Sequence, residues 1–154
     1  MKSLMQFLLR PTQGPAGFIL IRLAVGLIFF TQGILKYIDP KMGVLRFARI
    51  GFSHPNFTAH FVGTFEIVCG LLVLVGLWTR IAAIPLLIVI STAIATTKIP
   101  ELFRPNEGFW FIVSDARTDV AMFCSLLFLI LLGGGAWSVD SKSMSEDHIE
   151  KRSQ

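Results

Sequence analysis

Charge is scarce in this chain. Lysine, arginine, aspartate and glutamate make up 16% of its 154 residues, where a soluble domain carries about a quarter. Hydrophobic residues reach 53%, with 14 phenylalanines and a mean hydropathy of +0.67. This balance excludes an ordinary soluble domain, the more so because the charges gather at the ends of apolar runs. The formal charge of +4 does not point to nucleic acid, since no basic stripe interleaves with aromatics. Cationic loops beside apolar runs suit anionic lipid headgroups instead.

Cysteine is nearly absent. Cys69 and Cys124 each fall inside an apolar run, with no CxxC and no histidine at metal-ligand spacing. They read as small hydrophobes in helices; a redox pair would need them to face each other across two helices. His54 and His60 are six apart and share no helical face, and His148 lies in the tail, so no metal site is expected. A phosphate loop, a GxSxG elbow, HExxH and a dinucleotide fingerprint are all missing. The residues therefore show no evident cofactor site.

What the chain has is long apolar runs. Four are predicted as transmembrane helices, at 16–38, 57–78, 81–97 and 116–134, each near the ~20 residues that cross a ~30 Å hydrocarbon core. The expected fold is all-α, an integral membrane four-helix bundle at 16–135, with an N-terminal tail at 1–15 and a polar C-terminal tail at 136–154. The N-terminal tail lacks an A-x-A cleavage site and has too short an apolar stretch for a signal peptide; it reads as retained. Asp39-Pro40 ends the first run, Thr79-Arg80 reads as a tight polar break, and Pro100 and Pro105 mark a loop. Pro85 should kink the third run. Ser91, Thr92, Thr96 and Thr97 suggest that this run sits inside the bundle. The segment 41–52 (KMGVLRFARIGF) reads as a short amphipathic helix at the interface. Phe103, Phe109, Trp110 and Phe111 read as an aromatic belt at the same surface, with a lid over a binding site as the alternative.

Four spans would put both termini on one side. Counting positive charges does not choose that side: Lys2, Arg10, Arg22, Arg80, Lys142, Lys151 and Arg152 balance Lys36, Lys41, Arg46, Arg49, Lys98, Arg104 and Arg117, seven against seven.

Ionisable residues inside the runs are the candidates for function, because each is costly in lipid. On the first run Arg22, Gly26, Phe29, Gly33 and Lys36 share one face; on the second, Ala59, Gly63, Glu66 and Gly70 do the same. Small residues on such faces let helices approach closely. Counting from the loop that joins these runs puts Lys36 at ~3 Å, Gln32 at ~9 Å and Glu66 at ~14 Å depth. Helical side chains lean toward their own N-terminus, so Lys36 leans inward and Glu66 outward, and the two are expected to meet directly, or through Gln32 or a water. Glu66 reads equally as a structural carboxyl or as a proton-exchanging or ligand-binding one. Arg22 reads as snorkelling to headgroups. Arg117 and Asp119 open the fourth run, where the helix dipole accounts for Asp119; with Lys98 and His54 they are also candidates for a polar mouth. Arg80 is expected to pair with Asp140 or to cap helix carbonyls.

The motifs resemble those of the DoxX family of small four-helix bacterial membrane proteins, over roughly 17–140. Arg22-Leu23 with Gly26, Phe29, Gly33 and Lys36 is similar to the family's R-L-x-x-G…G-x-x-K. Glu66 and Gly70, then Gly76-Leu77-Trp78-Thr79-Arg80 and Ala82-Ala83, are similar to E-x-x-x-G…G-L-x-T-R-x-A-A. Gly133, Gly135, Trp137, Ser138 and Asp140 are similar to G-x-G-x-[WY]-S-x-D. The resemblance implies a multi-pass protein of the bacterial inner membrane with both termini cytoplasmic. It also implies association with thiosulfate:quinone oxidoreduction, thiol and oxidative-stress complexes, and quinone detoxification.

Two functions follow as expectations. One is a membrane component of a quinone- or sulfur/thiol-linked redox system, binding a quinone or an anionic small molecule near Lys36, Glu66 and Gln32 and acting with a soluble oxidoreductase subunit. The other is a non-catalytic membrane module: an assembly subunit, or a lipid or small-molecule binder or transporter. Whether the chain is itself an enzyme stays open. The lipid bilayer is the one partner common to both, and a homo-oligomer is compatible with either.

Overall fold

The computed structural model describes residues 15, 17–102, 109–135 and 137–140. Among these the chain is entirely helical: α1 (Phe18–Ile38), α2 (Val44–Ile50), α3 (Pro55–Val75), α4 (Thr79–Ala93), a π-helical turn (Ile94–Lys98), α5 (Ile99–Leu102) and α6 (Phe109–Leu132). Residues 1–14 and 141–154 of the two tails and Phe103 lie outside the described residues, and of the expected aromatic belt only the Trp110 side chain is described, exposed.

Local chemistry sets the helix ends. Asp39 leaves the α region after α1, its N–H still closing on the Leu35 carbonyl at 2.9 Å, and Pro40 cannot continue the helix. Pro55 starts α3, where a missing N–H costs nothing. Gly76 ends it at φ +78, with Gly76 and Leu77 N–H both on the Leu72 carbonyl. The polar break read at Thr79-Arg80 therefore sits three residues earlier: Gly76 to Trp78 make the turn, and Thr79 and Arg80 already belong to α4. Trp78 holds φ +49, a conformation that a bulky side chain adopts only under constraint. Asp140 supplies that constraint, its Oδ1 accepting the Trp78 N–H at 2.8 Å.

Three stretches are long and apolar enough to cross a membrane: α1, α3, and α4 continued through the π turn to Lys98. At 21, 21 and 20 residues each reaches ~30 Å. α6 has 24 residues but begins well before the expected 116. It carries Asp115, Arg117 and Asp119 in its first half, and its uncharged remainder covers only ~20 Å. Among the described residues, three stretches rather than four therefore combine the length and the apolar composition of a span. The outward surfaces are apolar, with Leu20 at 68%, Phe57 at 72% and Leu131 at 64% exposed, an arrangement for lipid rather than water.

α1 and α3 pack antiparallel through glycines. A Cβ on Gly33 would lie 2.8 Å from the Gly63 carbonyl, and one on Gly70 would lie 2.9 Å from Phe30 N and 3.1 Å from the Gly26 carbonyl. Backbone atoms cannot rotate aside, so any side chain would force the helices apart. α4 and α6 form a second antiparallel pair. Arg80 Nη2 at the start of α4 donates to the Leu131 carbonyl at 3.2 Å, and Lys98 at the other end meets Asp115. The core fills between the pairs with Val25, Phe29, Val73, Ala83, Leu86, Leu126 and Leu129.

α4 does not have the interior position read from its hydroxyls. It is the least buried of the three membrane-length stretches. Ser91, Thr92, Thr96 and Thr97 donate to their own helix's carbonyls four residues back, at 2.6 to 2.8 Å, and so need no neighbour.

At one end a polar clamp ties the helices together. Arg22, 2% exposed, donates to the carbonyls of Val73 (3.1 Å), Leu74 (2.8 Å), Gly134 (3.2 Å) and Trp137 (3.0 Å). These are carbonyls at and beyond the C-termini of α3 and α6, the groups that helix ends leave unpaired and that favour a cation. Snorkelling is thus not what Arg22 does: the guanidinium fork is spent on the protein's own backbone. Asp140 caps the N-terminus of α4, accepting from Trp78 N, Thr79 N (3.2 Å) and Thr79 Oγ1 (3.4 Å). Of the two roles read for Arg80, the contact to Leu131 is the carbonyl cap.

Two predictions follow from this packing. Gly70→Ala should destabilise the protein by about 1–3 kcal/mol, as overpacking does, whereas Gly17→Ala, with nothing within 4 Å of its Cβ, should be near neutral. Thermal unfolding in detergent compares them. In the same assay Arg22→Lys should cost on the order of 2–3 kcal/mol, because a single ammonium cannot reach four carbonyls, two at the end of α3 and two beyond α6; wild-type stability would refute the clamp.

Candidate functional site

At the opposite end, where α2 lies, the structure brings Lys36 and Glu66 together. The Lys36 ammonium donates directly to Glu66 Oε2. Both side chains are buried, at 9% and 3% exposure.

The approach of the helices makes the contact. With Gly26 against Gly70 and Gly33 against Gly63, the residue level with Lys36 is His60, and the residue level with Glu66 is Phe30. Each side chain must lean toward the N-terminus of its own helix to reach the other. Gly63 leaves the space for this: a Cβ there would sit 3.3 Å from Lys36 Cβ and 3.1 Å from the Tyr37 ring. A larger residue would push the lysine stem off its path.

Around the pair stands a polar collar. Tyr37 Oη lies 3.0 Å from the His60 carbonyl and 2.6 Å from Thr64 Oγ1, and the Tyr37 and His60 rings meet edge to face at 4.8 Å. His60 Nδ1 lies 2.7 Å from the Asn56 carbonyl. A carbonyl only accepts, so Nδ1 carries the proton in this contact. Arg46 on α2 is a second cation whose charge reaches Glu66. Gln32 is half-buried on the same side of α1 and makes no hydrogen bond among the described residues; it does not bridge the pair. The arrangement offers a ligand an ammonium, a carboxylate and an unengaged amide in apolar surroundings, where electrostatic contacts are strong.

The other candidates lie apart from it. Lys98 meets Asp115 and lies 4.0 Å from Asp119, while Arg117 is exposed with Nη1 3.5 Å from Ser114 Oγ. Asp119 is well inside α6, which begins at Phe109, so the first-turn dipole does not account for it; Lys98 does. His54 is exposed at the start of α3, and among the described residues no hydrogen bond or ion pair joins it to Lys98. Arg22, Arg80, Ser138 and Asp140 belong to the clamp, with Trp137 contributing its carbonyl; Ser138 Oγ donates to the Gly135 carbonyl at 2.7 Å. Cys69, buried one turn from Glu66, and Cys124, exposed, are both free.

Sequence reasoning missed the collar of Tyr37, His60 and Thr64, as well as Asp115. Asp115 left a signal, lying four residues before Asp119 and so on the same face. The collar left none, because its contacts depend on how α1 and α3 face each other and several of them end on backbone carbonyls.

The DoxX family model matches residues 17–99, which include the α1 and α3 motifs and stop short of the Gly133–Asp140 one. A protein of Mycobacterium tuberculosis (strain ATCC 25618 / H37Rv), "Uncharacterized membrane protein Rv3486", is 47% identical over 135 residues, 84% of this chain and 83% of that protein. A protein of Bacillus subtilis (strain 168), "Putative oxidoreductase CatD", is 32% identical over 106 residues, 69% of this chain and 78% of that protein. No solved structure matches the chain significantly.

A buried ion pair predicts non-additive mutants. Lys36→Met or Glu66→Gln alone should cost about 3–5 kcal/mol, or abolish folding, since the remaining partner is stranded. The double mutant should be more stable than either. Thermal melts in detergent measure this, and simple addition of the two effects would mean that the pair contributes nothing.

Proposed function

The chain belongs to the DoxX family, and from that membership and the buried Lys36–Glu66 pair we propose that it is the membrane component of a quinone- or sulfur/thiol-linked redox system. The single observation that carries the proposal is a carboxylate and an ammonium held together inside apolar helices, with Gln32 one turn before Lys36 on α1. Intramembrane ionisable groups of this kind mark ligand and proton sites. The name of the Bacillus subtilis relative supports the same direction.

In this reading α6 is the fourth span, its charged first half lying at the headgroup level, and the four long helices form a bundle in the bacterial inner membrane. Both termini are cytoplasmic, so the Lys36–Glu66 site lies toward the outer face. A quinone carbonyl would accept from Lys36 Nζ; the Lys36 ammonium would give one proton to the ring oxygens, and the Glu66 carboxylate would take up the second from water and pass it on. Two electrons and two protons reduce a quinone to the quinol; the electrons come from a soluble oxidoreductase subunit. An anionic substrate would use Lys36 and Arg46 instead.

One observation favours the second reading, a non-catalytic membrane module: the pair neutralises itself, and Arg22, Arg80 and Asp140 hold helix ends. Purification in mild detergent separates the two. The redox reading expects bound quinone, or a co-purifying oxidoreductase subunit, in the wild type. It also expects the quinone to be lost from a folded Lys36→Met/Glu66→Gln double mutant. A bare protein that reduces nothing, with or without its partner fraction, would leave the module.

A further inference from the structure

Burial is uneven along the helices. On α6 Met122, Leu126 and Leu129 are buried, and every residue in 113–121 keeps part of its surface. On α4 Leu86 and Ile90 are buried, and no residue in 91–100 is. On α1 and α3, in contrast, burial continues toward the α2 end as far as Lys36 and Ala59. The second helix pair thus draws away from the first over the half of the molecule that holds the ion pair.

Polar contacts show the same division. Toward the α2 end the ion pairs among the described residues run within each pair: Lys36 to Glu66 joins α1 with α3, as Tyr37 to Thr64 does, and Lys98 to Asp115 joins the end of the π turn with α6. At the clamp end polar contacts cross between pairs. Arg22 of α1 holds the α3 carbonyls and the chain after α6 at once, and Asp140 N–H donates to the Gly76 carbonyl at 3.1 Å; the apolar contact of Phe18 with Phe128, at 4.9 Å, crosses there too. Thr79 and Ser138 there are each 1% exposed.

We infer that the Lys36–Glu66 site is reached from the α2 end alone, through the wedge between the α1–α3 pair and the outer halves of α4 and α6. The protein takes up and releases its ligand on one face and is not a conduit across the membrane. The clamp is the reason. Opening it would strand a guanidinium and several backbone carbonyls in apolar surroundings, where unsatisfied polar groups are costly. Parting the second pair from the first at the α2 end leaves both the Lys36–Glu66 and the Lys98–Asp115 ion pairs intact. The wedge fits a ligand with an acceptor head for Lys36 and an apolar body for the helix walls. This inference rests on the reading that a ligand binds at the pair, and it removes transport from that reading's alternatives.

Thiol accessibility in the full-length chain tests it. In a Cys69→Ala/Cys124→Ser background, single cysteines are treated with a membrane-impermeant maleimide in right-side-out and in inverted vesicles. Phe52→Cys marks the α2 face and Val139→Cys the clamp face, both residues being exposed. Gln32→Cys should be labelled from the Phe52 face only, with labelling from the other face no higher than in the cysteine-free protein. Met122→Cys, at the floor of the wedge, should behave alike and carries the test if Gln32→Cys does not fold. Labelling from the Val139 face, from both faces or from neither overturns the inference. The readout needs no ligand, so a protein labelled from one face that carries no quinone would sink the redox reading and leave the one-sided access standing.

Discussion

Gly33 against Gly63 and Gly26 against Gly70 leave no Cβ between α1 and α3, and the remaining arrangement depends on that contact. It fixes the register of two membrane-length helices, which lipid would not otherwise do, since the tails are as apolar as the helix surfaces. At one end of this register Lys36 reaches Glu66. At the other, Arg22 reaches the last carbonyls of α3. A shift by one turn would carry both cations away from their partners.

The two ends treat a buried cation differently, and the side chains suit the difference. Arginine presents a planar fork of donors that stays charged, so it can satisfy several carbonyls held in fixed directions by two helix ends. Lysine is a compact charge on a flexible stem, suited to a single carboxylate and more readily turned toward another acceptor. The Arg22 cluster holds chain segments together. The Lys36 pair joins two side chains and holds no backbone.

The C-terminal residues 133–140 gain their meaning from this frame. Gly134 lends a carbonyl to Arg22, Trp137 does the same while its ring faces outward, and Asp140 crosses to the start of α4. A short stretch with little apolar content thus joins α1, α3, α4 and α6, and it holds Trp78 in a backbone conformation that its side chain disfavours.

Much of this was legible in the chain. Scarce charge and long apolar runs determine a helical membrane protein, because backbone groups in lipid must pair within their own helix. The glycine spacing and the lean of helical side chains bring Lys36 to Glu66, since both are properties of a single helix and its nearest neighbour. The break between α3 and α4 was misplaced because Thr79 and Arg80 look like loop residues until Asp140, sixty residues away, caps the turn before them. Arg22 looked like a snorkelling side chain because its acceptors are backbone carbonyls, which no residue type announces. The hydroxyls of α4 looked interior because sequence does not say that each bonds to its own helix. Tertiary structure alone decided those positions, together with the splaying of the second helix pair, because they depend on which helix ends meet in space.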